Sequence, residues 1–127
     1  MYYTLIMSQM DLSFGGYVRQ CREKLKAHDP TFSVRKLAGR VGIEPAYLSK
    51  IERDEMSPPG EETICKLANE LDEDADVLLA MAGKVSSDLR AIIMRRPRTF
   101  AELIRQLKNT PDHAILRIVR QVKDGNW

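Results

Sequence analysis

The chain has 127 residues, with 20 Lys and Arg against 18 Asp and Glu for a net charge of +2, a size that suits one domain, or one small domain with an appendage, and allows a sizeable apolar core. Its longest uncharged run, "MYYTLIMSQM", is too short and too polar to span a bilayer, and it lacks the basic start of a secretory signal, so a cytoplasmic protein is the expectation. Cys21 and Cys65 form no CxxC pair and have no histidine near either; both read as small buried hydrophobes rather than as disulfide partners or a redox switch.

Residues 1–14 are expected to form an N-terminal lead: a disordered stretch, a short strand and an over-long start all remain open, because Met7 and Met10 are also possible initiators. Helical periodicity then takes over. Phe14, Val18, Cys21 and Leu25 fall at i, i+4, i+7 and i+11 and predict a first helix from about Gly15 to Ala27. Pro30 ends it by disfavouring a helical Asp29. Ser33 is a good N-cap for a short second helix, "VRKLAGRV", with Val34, Leu37, Ala38 and Val41 inward. Gly42 supplies the C-terminal stop because it takes the left-handed conformation without side-chain cost. Pro45 sits near the first turn of a third helix, where its missing N–H costs no hydrogen bond; Leu48 and Ile51 face inward, with Tyr47 beside them.

"MSPPGEE" reads as a loop, followed by a fourth helix with Ile64, Leu67, Ala68 and Leu71 at core spacing and a fifth, "DADVLLAMAG", closing on Gly83. Residues 15–83 thus make one compact helical domain, with a hinge expected at Gly83 and "KVSSD". Residues 84–127 form a C-terminal helical segment: a short helix "SDLRAIIMRR", a break at Pro97, and two amphipathic helices separated by Thr110-Pro111-Asp112. Phe100, Leu103, Ile104 and Leu107 line the first of these; Ile115, Ile118, Val119 and Val122 line the second. An antiparallel hairpin is expected. A hairpin alone cannot bury both stripes, so they must pack on the first domain or on another chain.

Charge is zoned along the chain. Residues 15–53 hold nine Lys/Arg against four Asp/Glu, a balance of +5; residues 54–83 hold one base against nine acids, −8; residues 84–127 hold ten bases against four acids, +6. The first zone is a candidate phosphate-facing surface, with ordinary solvated helix faces as the alternative. Two short helices joined by a glycine turn let the second enter a major groove about 12 Å wide while the first braces across the backbone. The front of the third helix offers Glu44, Pro45, Ala46, Ser49 and Lys50, with no bulky apolar side chain among them.

The stretch "LAGRVGIEPAYLSKIERDE", extended by "YVRQCREKL" before it and "SPPGEETICKLANELDEDADVLLAMAG" after it, resembles the xenobiotic-response-element (Cro/cI-type) helix-turn-helix proteins over roughly residues 15–83. The resemblance implies an all-α, five-helix lambda-repressor-like domain in a homodimeric repressor that binds a pseudo-palindromic double-stranded DNA operator; no cofactor or metal is expected. Carried over by position, it makes Pro45, Ala46, Ser49 and Lys50 the base-facing set, which Glu44 joins by its place at the front of the same helix, and Ser33, Val34, Arg35 and Arg53 the phosphate-contacting set. Glu52 is implied to be a structural hydrogen-bonding partner. The chain departs from the family at Glu44, where many members have serine or threonine, and at Val34 and Pro45, where glutamine is frequent. With Ser49 and Lys50 as the clear donors, direct base readout is sparse, which leaves room for shape readout.

Dimerisation through the C-terminal helices is the expected use of Phe100, Leu103, Ile104, Leu107, Ile115, Ile118, Val119 and Val122, because two recognition helices must stand about 34 Å apart, one DNA turn. A second resemblance is to small repressors with a helical appendage that are paired with ImmA/IrrE-type zinc metallopeptidases, which cut the appendage and relieve repression of stress or anti-phage operons. The rival is an antitoxin whose C-terminal helices cover a toxin while the first domain autoregulates the operon. His28 and His113 have no Cys or carboxylate arranged around them as metal ligands, and no nucleophile or phosphate-loop motif is present, so no enzyme activity is expected.

Overall fold

The computed structural model describes residues 12–125 and Trp127; the expected N-terminal lead lies, through residue 11, outside the described residues. Among the described residues the chain is all-helical, with eight α-helices. Helix α1, Phe14–Lys26, begins at its N-cap Ser13, whose Oγ accepts from Gly16 N at 3.0 Å, and ends with Lys24 and Lys26 in the last turn, where cations favour the helix dipole. A 3-10 turn, Pro30–Phe32, follows Asp29, whose carboxylate accepts from the Thr31 hydroxyl at 2.7 Å and the Thr31 N–H at 2.9 Å. Those bonds hold the Asp29 carboxyl below its usual range.

Helix α2, Val34–Val41, starts at Ser33 and stops at Gly42, which takes φ +87° while its N–H and that of Ile43 both return to Ala38 O. That left-handed residue is what turns the chain before α3, Pro45–Glu52, with Pro45 in its first turn. Helices α4, Glu61–Leu71, and α5, Ala75–Met81, complete the bundle. Helix α1 packs on α3 and α4, α2 on α3 and α4, and α4 on α5. At their centre Val18, Leu37, Leu48, Ile51, Ile64, Leu67, Leu78 and Leu79 are fully buried, each contributing roughly 1.5–3 kcal/mol of burial. The approach of α1 to α3 is very close at Gly15, where a Cβ would stand 2.0 Å from the Ile51 carbonyl oxygen.

Two sequence expectations need correction. Cys21 and Cys65 are free thiols, as expected, but each packs only half-buried against the core rather than fully inside it. Cys21 lies at the rim of the α1 stripe, where its thiol donates to Glu73 Oε1 at 3.6 Å, and burial with that neighbouring carboxylate pushes it up to about 11. The α1 stripe is also shifted: Phe14 and Val18 are buried and Leu25 only half-buried, while Tyr17 and Arg22 go inside. Tyr17 is accommodated by donating its hydroxyl to Glu73, and burial holds its phenol above the usual range.

The chain divides into two compact units between Ser87 and Asp88. In the first unit the segment after Gly83 is tethered: Lys84 Nζ donates to Pro59 O at 3.0 Å, and Ser87 donates through its hydroxyl to Glu61 Oε2 at 2.8 Å. The second unit carries most of α6, Ser87–Arg95, and all of α7, Pro97–Leu107, and α8, Asp112–Lys123. Among the described residues no side chain of α6, α7 or α8 is fully buried. Leu103, Ile104, Ile118, Val119 and Val122 are exposed; Phe100, Leu107 and Ile115 are half-buried.

Replacing Gly15 with alanine will destabilise the first unit by about 1–3 kcal/mol or more, because the Ile51 carbonyl is backbone and cannot step aside. Gly39, inside α2 with open space at its Cβ position, is the contrasting case: Gly39→Ala will stabilise by about 0.5–1 kcal/mol. Urea unfolding of both variants measures the pair.

Candidate nucleic-acid interface

The orientation of α3 is set by charge as well as by apolar contact. Arg22 on α1 and Glu52 at the end of α3 meet in a two-pronged ion pair, Nε to Oε2 at 2.7 Å and one terminal nitrogen to Oε1 at 2.9 Å, with both side chains 4 % exposed. The guanidinium also donates to Phe32 O at 3.2 Å and to Glu23 Oε1 at 3.2 Å. One buried cation therefore joins α1, the end of α3 and the turn that leads into α2. Its pKa is raised further by the Glu52 hydrogen bonds, which outweigh desolvation. Glu52 has the structural part that the family resemblance implies for it. Arg22, counted above with the phosphate-facing bases, is removed from that set by burial.

With Leu48 and Ile51 turned into the core and Tyr47 half-buried against it, the outer face of α3 is left to Glu44, Pro45, Ala46, Ser49 and Lys50. All are exposed except Ser49, which is half-buried. Glu44 is the N-cap residue, in extended conformation, and its carboxylate makes no capping bond, so its charge is free at the positive end of the helix. Nothing on this face is larger than the Lys50 side chain, and a small leading edge is what close approach to a groove floor requires.

At the start of α2, Ser33 Oγ accepts from Lys36 N at 3.2 Å and keeps its own proton to donate. Val34 leans against the core, so its main-chain N–H is what it can present outward. Arg35 is exposed, as is Lys36, which sequence reasoning passed over; neither, nor Lys50, forms an ion pair among the described residues. The position of Lys36 beside Arg35 in a first helical turn was the available signal. Arg40 is a different case. It donates to Glu70 Oε1 at 2.6 Å and to Thr31 O at 2.7 Å, and it lies 4.8 Å from the Phe32 ring centroid. It is a brace between α2 and α4, not a free cation. Arg53, exposed just after α3, donates to Glu55 and to the Ser49 hydroxyl.

Among the described residues no cluster of His, Cys, Asp or Glu is arranged to hold a metal ion, and no helix is long and apolar enough to cross a membrane. A shallow groove of about 650 Å³ lies along α4, lined by Glu61, Glu62, Cys65, Lys66, Asn69 and Ser87.

Residues 31–78 match the family model described as Helix-turn-helix. The match runs from the turn before α2 through α2, α3 and α4 into α5. It supports a DNA-binding transcriptional regulator. No curated protein and no solved structure matches the chain.

Glu52→Ala leaves the Arg22 guanidinium buried without its partner and will cost about 3–5 kcal/mol of unfolding free energy; the double change Arg22→Met with Glu52→Leu will recover much of that loss. Denaturant titration of the two variants against the parent decides it, and equal losses for both would remove the ion pair from its organising place.

Proposed function

We propose that this chain is a sequence-specific regulator that binds double-stranded DNA through α3 in the major groove and α2 across the backbone, acting as a homodimeric repressor on a pseudo-palindromic operator. The observation that carries the reading is the α3 face: small and polar residues outward, Leu48 and Ile51 inward, on a segment that matches a helix-turn-helix family. Ser49 and Lys50 supply donors for base edges, while Ser33, the Val34 N–H, Arg35 and Lys36 supply phosphate contacts at the start of α2. Arg53 joins them when it is released from Glu55. Phosphate neutralisation supplies most of the affinity and makes it fall steeply with salt.

Homodimerisation through α7 and α8 is the use we assign to Phe100, Leu103, Ile104, Leu107, Ile115, Ile118, Val119 and Val122. Two helices with full apolar stripes and no buried residue are half of an interface. Cutting this segment by a partner metallopeptidase would then dissolve the dimer and relieve repression. The same open stripes suit an antitoxin that covers a toxin. A homodimer is the simpler reading, because the stripes are regular and the segment between them is short.

Duplexes enriched from a random pool by the full chain test the readout. Lys50→Ala will weaken binding to an enriched site by roughly tenfold, about 1–3 kcal/mol for a lost base contact, and weaken binding to an arbitrary duplex less. Equal loss on both would confine Lys50 to the backbone.

Light scattering coupled to size exclusion tests the assembly. The full chain will run as a dimer, and Ile104→Glu with Val119→Glu will run as a monomer that still unfolds cooperatively at the parent temperature. A parent chain that is monomeric on its own would favour the antitoxin reading.

A further inference from the structure

At the end of α3 one carboxylate engages a side chain proposed above to meet DNA. The guanidinium of Arg53 donates through Nε to Glu55 and through a terminal nitrogen to the Ser49 hydroxyl. Ser49 belongs to the base-facing set and Arg53 to the phosphate-contacting set, so the two are locked to each other and, through Arg53, to an acid.

The backbone explains why Glu55 is there. Asp54 takes φ +60°, the left-handed conformation that closes a helix end. Glu55 N then donates to Lys50 O at 2.8 Å and Asp54 N to Ile51 O at 3.1 Å. The Asp54 carboxylate is itself fixed by the Ser13 hydroxyl at 2.9 Å, which ties this closure to the start of α1. Glu55 is thus delivered to the last turn of α3 by main-chain geometry. The Arg53 hydrogen bond holds the Glu55 carboxyl below its usual range, and Lys50 adds to the effect, so the acid is ionised at neutral pH. A carboxylate presents its oxygens to a guanidinium much as a phosphate does.

Resting on the DNA-binding reading above, we propose that Glu55 sets the affinity of the protein for DNA by occupying Arg53 as a phosphate would, so that Arg53 reaches the DNA backbone only by leaving Glu55. The pair is about half exposed, 49 % for Arg53 and 53 % for Glu55. An exposed ion pair is weak and screened by salt, which makes Glu55 a competitor that lowers binding to every duplex without blocking it. Phosphates are common to all sequences, so the penalty falls on nonspecific binding in full. Sites that add base contacts through Ser49 and Lys50 offset it.

The test uses the full chain and a labelled duplex of arbitrary sequence, titrated across salt concentrations, with the parent, Glu55→Gln, Arg53→Ala and the double variant. Glu55→Gln will tighten binding roughly three- to tenfold at low salt and steepen the salt dependence by about one ion. In the Arg53→Ala background most of that gain will disappear. No tightening, or an equal gain with and without Arg53, would overturn the proposal; the second result would make Glu55 a repelling charge only. Absence of salt-dependent binding in all four proteins would bring down the DNA-binding reading and this proposal together, whereas a parent that binds and a Glu55→Gln variant that binds no tighter strikes the proposal alone. Both side chains are exposed, and unchanged thermal unfolding of the variants shows that binding, not folding, is being read.

Discussion

Most of the first unit's geometry depends on the buried pair between Arg22 and Glu52. Helix α3 is only eight residues long, too short to be stable in water by itself, and its direction comes from what it is fastened to. Apolar contact at Leu48 and Ile51 fixes which face is inward. The ion pair fixes its far end, since the same guanidinium reaches α1, Glu52 and the carbonyl of Phe32. Taking two charges out of water is costly unless the geometry is good and the remaining protons are used. Here both oxygens of Glu52 accept, and no buried side-chain polar atom among the described residues lacks a partner. Gly15 makes this possible sterically, because only a residue without a Cβ lets α1 come so close to the Ile51 carbonyl.

The pair also changes how the charge of this domain is understood. A count of bases treats every Lys and Arg as a potential phosphate ligand, yet two of the arginines are internal fasteners. Arg22 is buried, and Arg40 bridges Thr31 and Glu70 while lying over Phe32. Arg53 is held by Glu55. What remains open near the two helices is Arg35, Lys36 and Lys50, a smaller and more localised set than the zone total implies. Localisation favours a defined docking geometry over a diffuse attraction.

The C-terminal unit is built on a different balance. Its helices have strong sequence periodicity and good local signals, including Pro97 at the head of α7 and the Thr110-Pro111 break before α8, yet none of them buries a residue. A helix whose apolar stripe is largely uncovered leaves much of its stabilising surface in water. The proposed homodimer answers that imbalance, and it would tie DNA binding to assembly, because two weak half-site contacts become strong only when they are linked.

Amino-acid sequence alone determined the elements: where α2 begins at Ser33 and ends at Gly42, where Pro45 opens α3, and which aliphatic residues of α2 to α4 turn toward the core. Those are local matters of capping, left-handed turns and period 3.6, so they are legible one segment at a time. That the front of α3 faces outward was legible for the same reason. Only the tertiary structure decided the fate of the charged side chains. Arg22 and Glu52 are thirty residues apart, as are Arg40 and Glu70, and nothing in local spacing says that the first pair is buried or the second braced. Glu55 was out of reach too, because its effect on Arg53 comes from a left-handed Asp54 that swings it back along the helix. Hydrophobic periodicity is a property of a segment, whereas the pairing of charges is a property of how segments are folded together.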